Sequence, residues 1–163
     1  MDDELLEAAS EAFGGVFVIV GHLTRLTDDG LADWGLTTRQ WLLLAVLTRG
    51  FPGRAPSLTE AAEAYGSSRQ NVKQIALGLE TRGFLRLVPD AGDGRTTRLE
   101  LTDRVRIFDE PEGRARGRDL LEAAFDGLGR DEVLALRDLV GRWLAGVSRT
   151  PTDHTRPGKA SLP

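Results

Sequence analysis

The apolar residues of this chain recur at helical spacing near its N-terminus. Five of them lie three or four positions apart along one face: Phe13, Val16, Phe17, Val20 and Leu23. This spacing predicts a long first helix. We expect Gly30 to end this helix, because glycine is common just beyond the last helical turn.

Three short polar sequences predict where the next helices begin. In each, a serine or threonine is followed three residues later by glutamine or glutamate, the pattern of a capping box. The pairs are Thr37 with Gln40, Ser57 with Glu60, and Ser67 with Gln70. We expect the first of these helices to stop near Gly50, and the third to end at Gly83. Only Tyr65-Gly66-Ser67 separates the second helix from the third, which indicates a helix-turn-helix.

Beyond Gly83 the apolar pattern changes to alternation, which predicts strands. Residues 84–88 and 97–101 carry this pattern, and residues 89–95 between them are rich in glycine and aspartate. We therefore expect a β-hairpin with an extended tip, a wing, directly after the helix-turn-helix. The predicted fold class is mainly α with a small β-hairpin wing (α+β), a winged helix-turn-helix.

Helical spacing returns in the C-terminal third of the chain. It predicts one helix around Leu120–Leu128 and a last helix over Val133–Val147. Before them stands Asp109-Glu110-Pro111-Glu112-Gly113, where we expect a kink or break because proline removes a helical hydrogen bond. Residues 149–163 are rich in proline and polar residues, for which we expect a disordered tail.

The composition leaves little room for catalysis or metal chemistry. The chain has no cysteine and only two histidines, His22 and His154, which are far apart in the sequence. Disulfides and thiol chemistry are therefore excluded, and we expect no metal and no cofactor. Without a nucleophile–base pair or a metal cluster, the sequence predicts a protein that is not an enzyme.

Hydropathy and charge refine this view. The apolar run Gly14–Val20 is short for a membrane span, so we expect a cytoplasmic protein with no membrane partner.

The net charge of −4 is unevenly distributed: residues 1–33 carry eight acids and one arginine, whereas residues 54–106 carry nine lysines and arginines against seven acids. Because phosphate attraction depends on local potential, the basic centre is compatible with nucleic-acid binding.

The helix predicted after Ser68 has one apolar and one polar face. Val72, Ile75, Ala76 and Leu79 share the apolar face, which must pack on the domain. The other face carries arginine, lysine and amide side chains, which can bond to base edges in a major groove, and the serines at its start suit a phosphate. These candidate DNA contacts are Ser67, Ser68, Arg69, Gln70, Asn71, Lys73 and Gln74. The alternative is an ordinary solvated face.

Several motifs in a fixed order resemble the MarR family of winged-helix regulators. They are Leu58-Thr59-Glu60-Ala61-Ala62, Ser68-Arg69-Gln70-Asn71-Val72, Leu79-Glu80-Thr81-Arg82-Gly83-Phe84-Leu85, Asp93-Gly94-Arg95 followed by Leu101-Thr102, and Gly129-Arg130-Asp131-Glu132. The similarity runs roughly from Val16 to Val147, and it is strongest from Leu36 to Thr102.

This resemblance implies a triangular homodimer that binds double-stranded DNA at a pseudo-palindromic operator and regulates transcription as a repressor. It implies that Arg95 enters the minor groove, that Asp93 holds Arg95 by a charge-assisted bond, and that Arg98 joins the DNA contacts. The implied segments are an N-terminal dimerisation helix (1–34), a DNA-binding domain (35–103), C-terminal dimerisation helices (104–148) and a tail (149–163).

The resemblance also implies a small aromatic or lipophilic effector, bound between the DNA-binding and dimerisation parts. Four residues border that region: His22, Arg25, Trp34 and Trp41. Aromatic residues there suit a packed core equally well. A second function stays open, a winged helix that assembles proteins without specific DNA binding, because a fold alone does not settle function.

Overall fold

The computed structural model describes residues 1–148. The expected disordered tail, 149–163, lies outside these residues. The chain divides into two compact units, of which the first is Met1–Asp126 and the second begins at Gly127. The helix-turn-helix and the hairpin both belong to the first unit.

Helices dominate the described chain. The first unit contains α1 (Asp3–Leu31), a 3₁₀ turn (Ala32–Trp34), α2 (Thr38–Gly50), α3 (Leu58–Tyr65), α4 (Arg69–Thr81), β1 (Leu85–Pro89), β2 (Thr97–Leu101), a 3₁₀ helix (Asp103–Phe108) and α5 (Pro111–Ala124). The described part of the second unit contains α6 (Arg130–Val147). This order confirms the predicted fold class, mainly α with a small antiparallel hairpin.

α1 begins at Asp3, ten residues before the first member of the apolar pattern, Phe13. The carboxylate of Asp2 accepts a hydrogen bond from the backbone N–H of Leu5 at 2.9 Å and caps the helix. Acidic side chains in the first turn also interact favourably with the helix dipole. The apolar spacing from Phe13 onward does not mark this start, because a solvated first turn has no apolar periodicity.

The capping boxes on Thr37 and Ser57 are confirmed, since both hydroxyls accept N–H bonds and both partner side chains return one. At α4 the N-cap is Ser68, whose hydroxyl accepts from the N–H of Asn71 at 3.2 Å. The predicted box on Ser67 and Gln70 is therefore wrong by one residue. The turn through the left-handed Gly66 (φ +73°) takes up one more residue before the helix starts.

The core of the first unit is formed by α2, α3, α4 and the base of the hairpin. Its most buried large side chains are Leu43, Leu47, Leu58, Val72, Leu79, Phe84, Leu85 and Leu99. Burying such side chains contributes about 1.5–3 kcal/mol each to folding. Because Val72 and Leu79 point into this core, the opposite face of α4 is left to solvent.

The hairpin pairs Leu85 with Leu101 and ends where Pro89 faces Thr97. β1 thus begins one residue later than predicted, and Phe84, just before it, is buried in the core. The backbone N–H of Leu99 donates to the carbonyl of Pro56 at 2.9 Å. This bond attaches the hairpin to the segment just before α3.

The expected break before α5 is present. Pro111 is the first residue of α5, a position where its missing N–H removes no helical hydrogen bond. The 3₁₀ helix before it approaches so closely that a Cβ added to Gly113 would lie 2.1 Å from the carbonyl oxygen of Ile107. The corner between the two helices therefore depends on glycine.

α1 presents an apolar surface that the described chain leaves exposed. Its members include Leu5, Leu6, Phe13, Val16, Phe17, Val18, Ile19, Val20 and Leu23. By length and composition the segment Asp3–Trp34 is apolar enough to cross a membrane. This corrects the expectation that was based on the shorter run Gly14–Val20. A surface helix that packs against another protein meets the same two criteria.

Candidate nucleic-acid interface

A tight turn places α4 after α3. The N–H of Gly66 donates to the carbonyl of Glu63 at 3.2 Å, and the N–H of Ser67 donates to that of Ala62 at 3.0 Å. Together with the left-handed backbone of Gly66, these bonds close the end of α3. The chain then turns directly into the Ser68 cap of α4, which gives the predicted helix-turn-helix.

The free face of α4 carries the long polar side chains that the sequence predicted there. The exposed ones are Arg69, Gln70, Lys73 and Gln74. They lie opposite Val72, Ile75 and Leu79, which are buried. Two cations and two amides thus share one accessible surface on the first turns of the helix, and these groups can bond to base edges or phosphates.

Ser67 and Asn71 are more closely tied to the turn than the sequence suggested. The amide Nδ2 of Asn71 donates to the hydroxyl of Ser67 at 2.8 Å, and Asn71 is half-buried. The hydroxyl of Ser68 is occupied by capping. These three side chains stabilise the first turn of α4 through these bonds. Their hydroxyl and amide groups can therefore contact a ligand only where the end of the helix itself lies against that ligand.

Asp93 holds Arg95 through the backbone. Its Oδ1 accepts from the N–H of Arg95 at 3.0 Å, and its Oδ2 accepts from the hydroxyl of Thr96 at 2.9 Å. Among residues 1–148 no carboxylate lies within ion-pair distance of the Arg95 guanidinium. The implied bond between the Asp93 and Arg95 side chains is therefore corrected to a turn bond, and the exposed guanidinium remains available to a ligand.

Arg98, the other arginine predicted to contact DNA, turns back toward the body of the domain. Its Nη1 donates to the carbonyl of Ala55 at 2.9 Å and lies 3.9 Å from the carboxylate of Glu60. Its Nε donates to the carboxylate of Asp90. These bonds raise the pKa of Arg98 above its ordinary value, mainly through Asp90. Arg98 is thus engaged within the protein.

The two acids that hold Arg98 are themselves well bonded. Bonds from the backbone of Ser57 and from Arg54 lower the pKa of Glu60 to about 2. The pKa of Asp90 is also lowered, chiefly by its hydrogen bond from Arg98. Sequence reasoning missed both acids as parts of the site. The predicted hairpin was the signal that could have placed Arg98 near Asp90. In its register Arg98 pairs with Val88, which lies two residues before Asp90.

A cavity of about 290 Å³ lies between α1, α2 and α5. Its lining is almost entirely apolar: Val20, Leu23, Thr24, Thr27, Thr38, Trp41, Leu120, Leu121, Ala124 and Phe125. Such a lining suits a small apolar molecule and offers little to a charged one. Of the four residues predicted to border an effector, only Trp41 lines this cavity.

The other three predicted effector residues lie elsewhere. His22 and Arg25 are exposed, and the guanidinium of Arg25 lies 2.9 Å from Nδ1 of His22. Trp34 packs edge-on against Phe108 at 5.1 Å. The guanidinium of Arg116 lies 5.3 Å from the centre of the indole ring. Trp34 therefore belongs to the packing between the 3₁₀ segments and α5.

Within residues 1–148, no group of three or more histidine, cysteine or acidic side chains could hold a metal ion.

A helix-turn-helix followed at once by a β-hairpin defines the winged-helix class of proteins. The model of the MarR family matches residues 34–96, which run from Trp34 through the tip of the wing. This match identifies residues 34–96 as a region similar to the winged helix of the MarR family. The members of this family are transcription regulators rather than enzymes.

A curated relative is the transcriptional activatory protein BadR of Rhodopseudomonas palustris. It is 28% identical over 100 residues, which make up 61% of this chain and 57% of that protein. The matched region therefore spans little more than half the length of this relative.

Solved structures share the fold. A mutant MarR from E. coli, complexed with operator DNA, has a TM-score of 0.69 at 18% identity, covering 88% of this chain and 99% of that one. BpsR of Bordetella bronchiseptica, whose DNA binding is regulated by 6-hydroxynicotinic acid, has a TM-score of 0.69 at 22% identity, covering 82% and 98%. At these identities the likeness establishes the architecture alone.

Proposed function

We propose that this protein is a homodimeric, sequence-specific DNA-binding transcription regulator. The observation that carries the proposal is the pairing of two free cationic surfaces. Arg69 and Lys73 lie exposed on α4, and the guanidinium of Arg95, which has no ion-pair partner among residues 1–148, lies at the wing tip. An arrangement of this kind presents one helix to a major groove and the wing to the neighbouring backbone or minor groove.

Base recognition on α4 falls to Arg69, Gln70, Lys73 and Gln74, with Asn71 and the two serines shaping the helix end. Arginine and lysine can bond to guanine O6 and N7, and glutamine can pair with adenine. Arg95 supplies the wing contact. Arg98 acts indirectly, because its guanidinium is already bonded inside the domain.

Dimerisation is supported by the uncovered apolar surface of α1. α6, in the second unit, separately exposes Leu136, Leu139, Val140, Trp143, Leu144 and Val147. Apolar surfaces of this extent on a water-soluble protein mark a contact with another molecule. A second copy of the chain would cover them and would set two winged domains against a pseudo-palindromic operator. We place the dimer in the cytoplasm, where it meets the chromosome.

The proposal also includes the direction of regulation, repression or activation, and a small-molecule effector. We propose repression that is relieved when a small aromatic or lipophilic molecule occupies the Trp41 cavity, since that cavity adjoins both α1 and α2. The name of the curated relative gives activation as the other outcome. BpsR, with its ligand-regulated DNA binding, supports a small-molecule effector in this fold.

The proposal is tested by titrating a fluorescent duplex pool of random sequence with the purified protein at low and moderate salt. We expect binding that weakens steeply as salt rises, because phosphate contacts release counterions. Sedimentation in the absence of detergent should give a dimer. A monomer without affinity for duplex would contradict the proposal and would favour a winged helix used for protein assembly.

A further inference from the structure

We propose that Arg98 and Asp90 are positioning residues, which hold the wing tip in place so that Arg95 can reach DNA. The consequence for DNA rests on the proposed function. The coupling itself rests only on the geometry of the hairpin and of α3.

The carboxylate of Asp90 bonds in two directions. One oxygen, Oδ2, accepts from Nε of Arg98. The other, Oδ1, accepts from the backbone N–H groups of Gly92 at 2.8 Å and Asp93 at 2.9 Å. One side chain therefore connects Arg98 on β2 with the backbone of the hairpin tip. If Arg98 is lost, Asp90 loses the only one of these bonds that reaches toward the body of the domain.

The bonds continue from Asp90 to the predicted DNA contact. The N–H of Asp90 donates to the carbonyl of Thr96 at 2.8 Å, which closes the tip. Inside the tip, Asp93 accepts from the backbone of Arg95 and from the hydroxyl of Thr96. Arg95 thus lies on a turn whose shape is set by two aspartates, and the first of them is held by Arg98.

At the other end the chain of bonds reaches the helix-turn-helix. Arg98 donates to the carbonyl of Ala55 and lies beside Glu60, whose carboxylate also accepts from the N–H of Ser57 at 2.8 Å and from Arg54 at 2.8 Å. Glu60 belongs to the capping box of α3. The first helix of the helix-turn-helix and the wing tip are therefore joined through Arg98.

Burial separates this pair from an ordinary surface ion pair. The side chain of Asp90 is only 16% exposed and that of Arg98 is 37% exposed. The Arg86–Glu100 pair on the same hairpin is 64% and 44% exposed. Two of the three guanidinium nitrogens of Arg98 are engaged within the domain, Nε with Asp90 and Nη1 with Ala55, so a phosphate could reach only Nη2 without breaking these bonds.

The negative charge of Asp90 makes the proposal testable. A purely electrostatic role and a positioning role predict opposite changes in DNA affinity when this charge is removed. If electrostatics alone governed DNA binding, removing an acid near the interface would strengthen it. If Asp90 positions the wing, Asp90→Asn weakens binding even though the protein becomes less acidic. Arg98→Lys is equally informative, since lysine keeps the charge for a phosphate but cannot bond to Asp90 and Ala55 in the fixed geometry of a guanidinium.

The DNA experiment uses the full chain, a random-sequence duplex pool, and Arg86→Ala as the matched control. We expect Asp90→Asn, Arg98→Met and Arg98→Lys each to weaken binding by about three- to tenfold, with Arg86→Ala close to wild type. Arg95→Ala should cost less in the Asp90→Asn background than alone, because both act through one contact. Stronger binding by Asp90→Asn together with full binding by Arg98→Lys would overturn the proposal and make Arg98 a direct phosphate contact.

A second measurement needs no DNA. Because the chain has no cysteine, spin labels at Ala91→Cys on the wing and Glu63→Cys on α3 report the distance within one protomer when the labelled chain is diluted into an excess of unlabelled chain. We expect this distance distribution to broaden with Asp90→Asn or Arg98→Met, at unchanged helical circular dichroism, and to stay narrow with Arg86→Ala. An unchanged distribution would overturn the coupling. If wild-type protein bound no duplex, the proposed function would fail while this measurement still decided the coupling.

Discussion

The backbone of Gly113 lies against the carbonyl of Ile107, so closely that a Cβ on residue 113 would be 2.1 Å from that oxygen. The next nearest atom is Cα of Phe108, at 2.8 Å. Both of these atoms belong to the backbone and cannot move aside as a flexible side chain can. We therefore expect Gly113→Ala to lower the free energy of unfolding by about 3 kcal/mol, as severe overpacking does. Urea denaturation of the full chain measures this change.

Gly117 provides the matched control, since it lies in the same helix and a Cβ there meets no atom within 4 Å. We expect Gly117→Ala to be neutral or to stabilise by up to about 1 kcal/mol, because alanine favours helix. Equal effects of the two substitutions would contradict the close packing at the corner.

Gly78 on α4 packs against the side chain of Gln40, which completes the capping box of α2. A Cβ on Gly78 would lie 2.6 Å from Nε2 of Gln40. We expect Gly78→Ala to displace that amide and to lose about 1 kcal/mol of capping, which offsets the gain of about 1 kcal/mol that alanine brings to a helix, so that the net change is small. Thermal unfolding of the two single variants and of the double variant with Gln40→Ala checks this. Fully additive losses would show that the two residues act independently.

The pKa of Glu60, lowered to about 2, predicts how stability depends on acid. A carboxyl group whose pKa is lower in the folded state stabilises the fold above its unfolded pKa near 4.5, and this contribution disappears as the pH falls toward 2. We expect Glu60→Gln to melt at a lower temperature than wild type at neutral pH. The difference in Tm should vanish near pH 2. A difference independent of pH would contradict this interpretation.

The apolar cavity beside Trp41 predicts where an effector binds. Ala124→Phe would fill much of this space of about 290 Å³ from the end of α5. We expect the variant to bind DNA normally while aromatic or lipophilic compounds that stabilise the wild type no longer raise its Tm. The control is His22→Ala, which changes an exposed residue outside the cavity. Loss of the ligand effect in His22→Ala alone would move the site to the His22–Arg25 pair.

Local chemistry made parts of this fold predictable. The starts of α2 and α3 each depend on a hydroxyl group and on a carboxamide or carboxylate group three residues later. Because both partners lie in the same short segment, the sequence alone predicts these helix starts. The polar face of α4 was equally visible, because Val72 and Leu79 fix the opposite side. The capping role of Asp2 at α1 was missed, since this first turn has no apolar periodicity.

Features that depend on distant residues could not be predicted in the same way. Arg98 resembled a DNA contact until the hairpin register brought it to Asp90 and Ala55. Trp34 and Trp41 looked equivalent in the sequence, yet one packs against Phe108 and the other lines a cavity. In both cases the partner comes from another element, so the composition of the local segment carries no signal.

Sequence-specific binding by a dimer is tested most directly by enrichment sequencing. The purified full chain is incubated with a random duplex pool, and bound DNA is recovered through several rounds and sequenced, alongside Gln70→Ala. We predict a pseudo-palindrome whose half-sites lie one helical turn apart, and a relaxed preference at particular bases with Gln70→Ala. Recovery of no enriched sequence from a protein that sediments as a monomer would contradict the account.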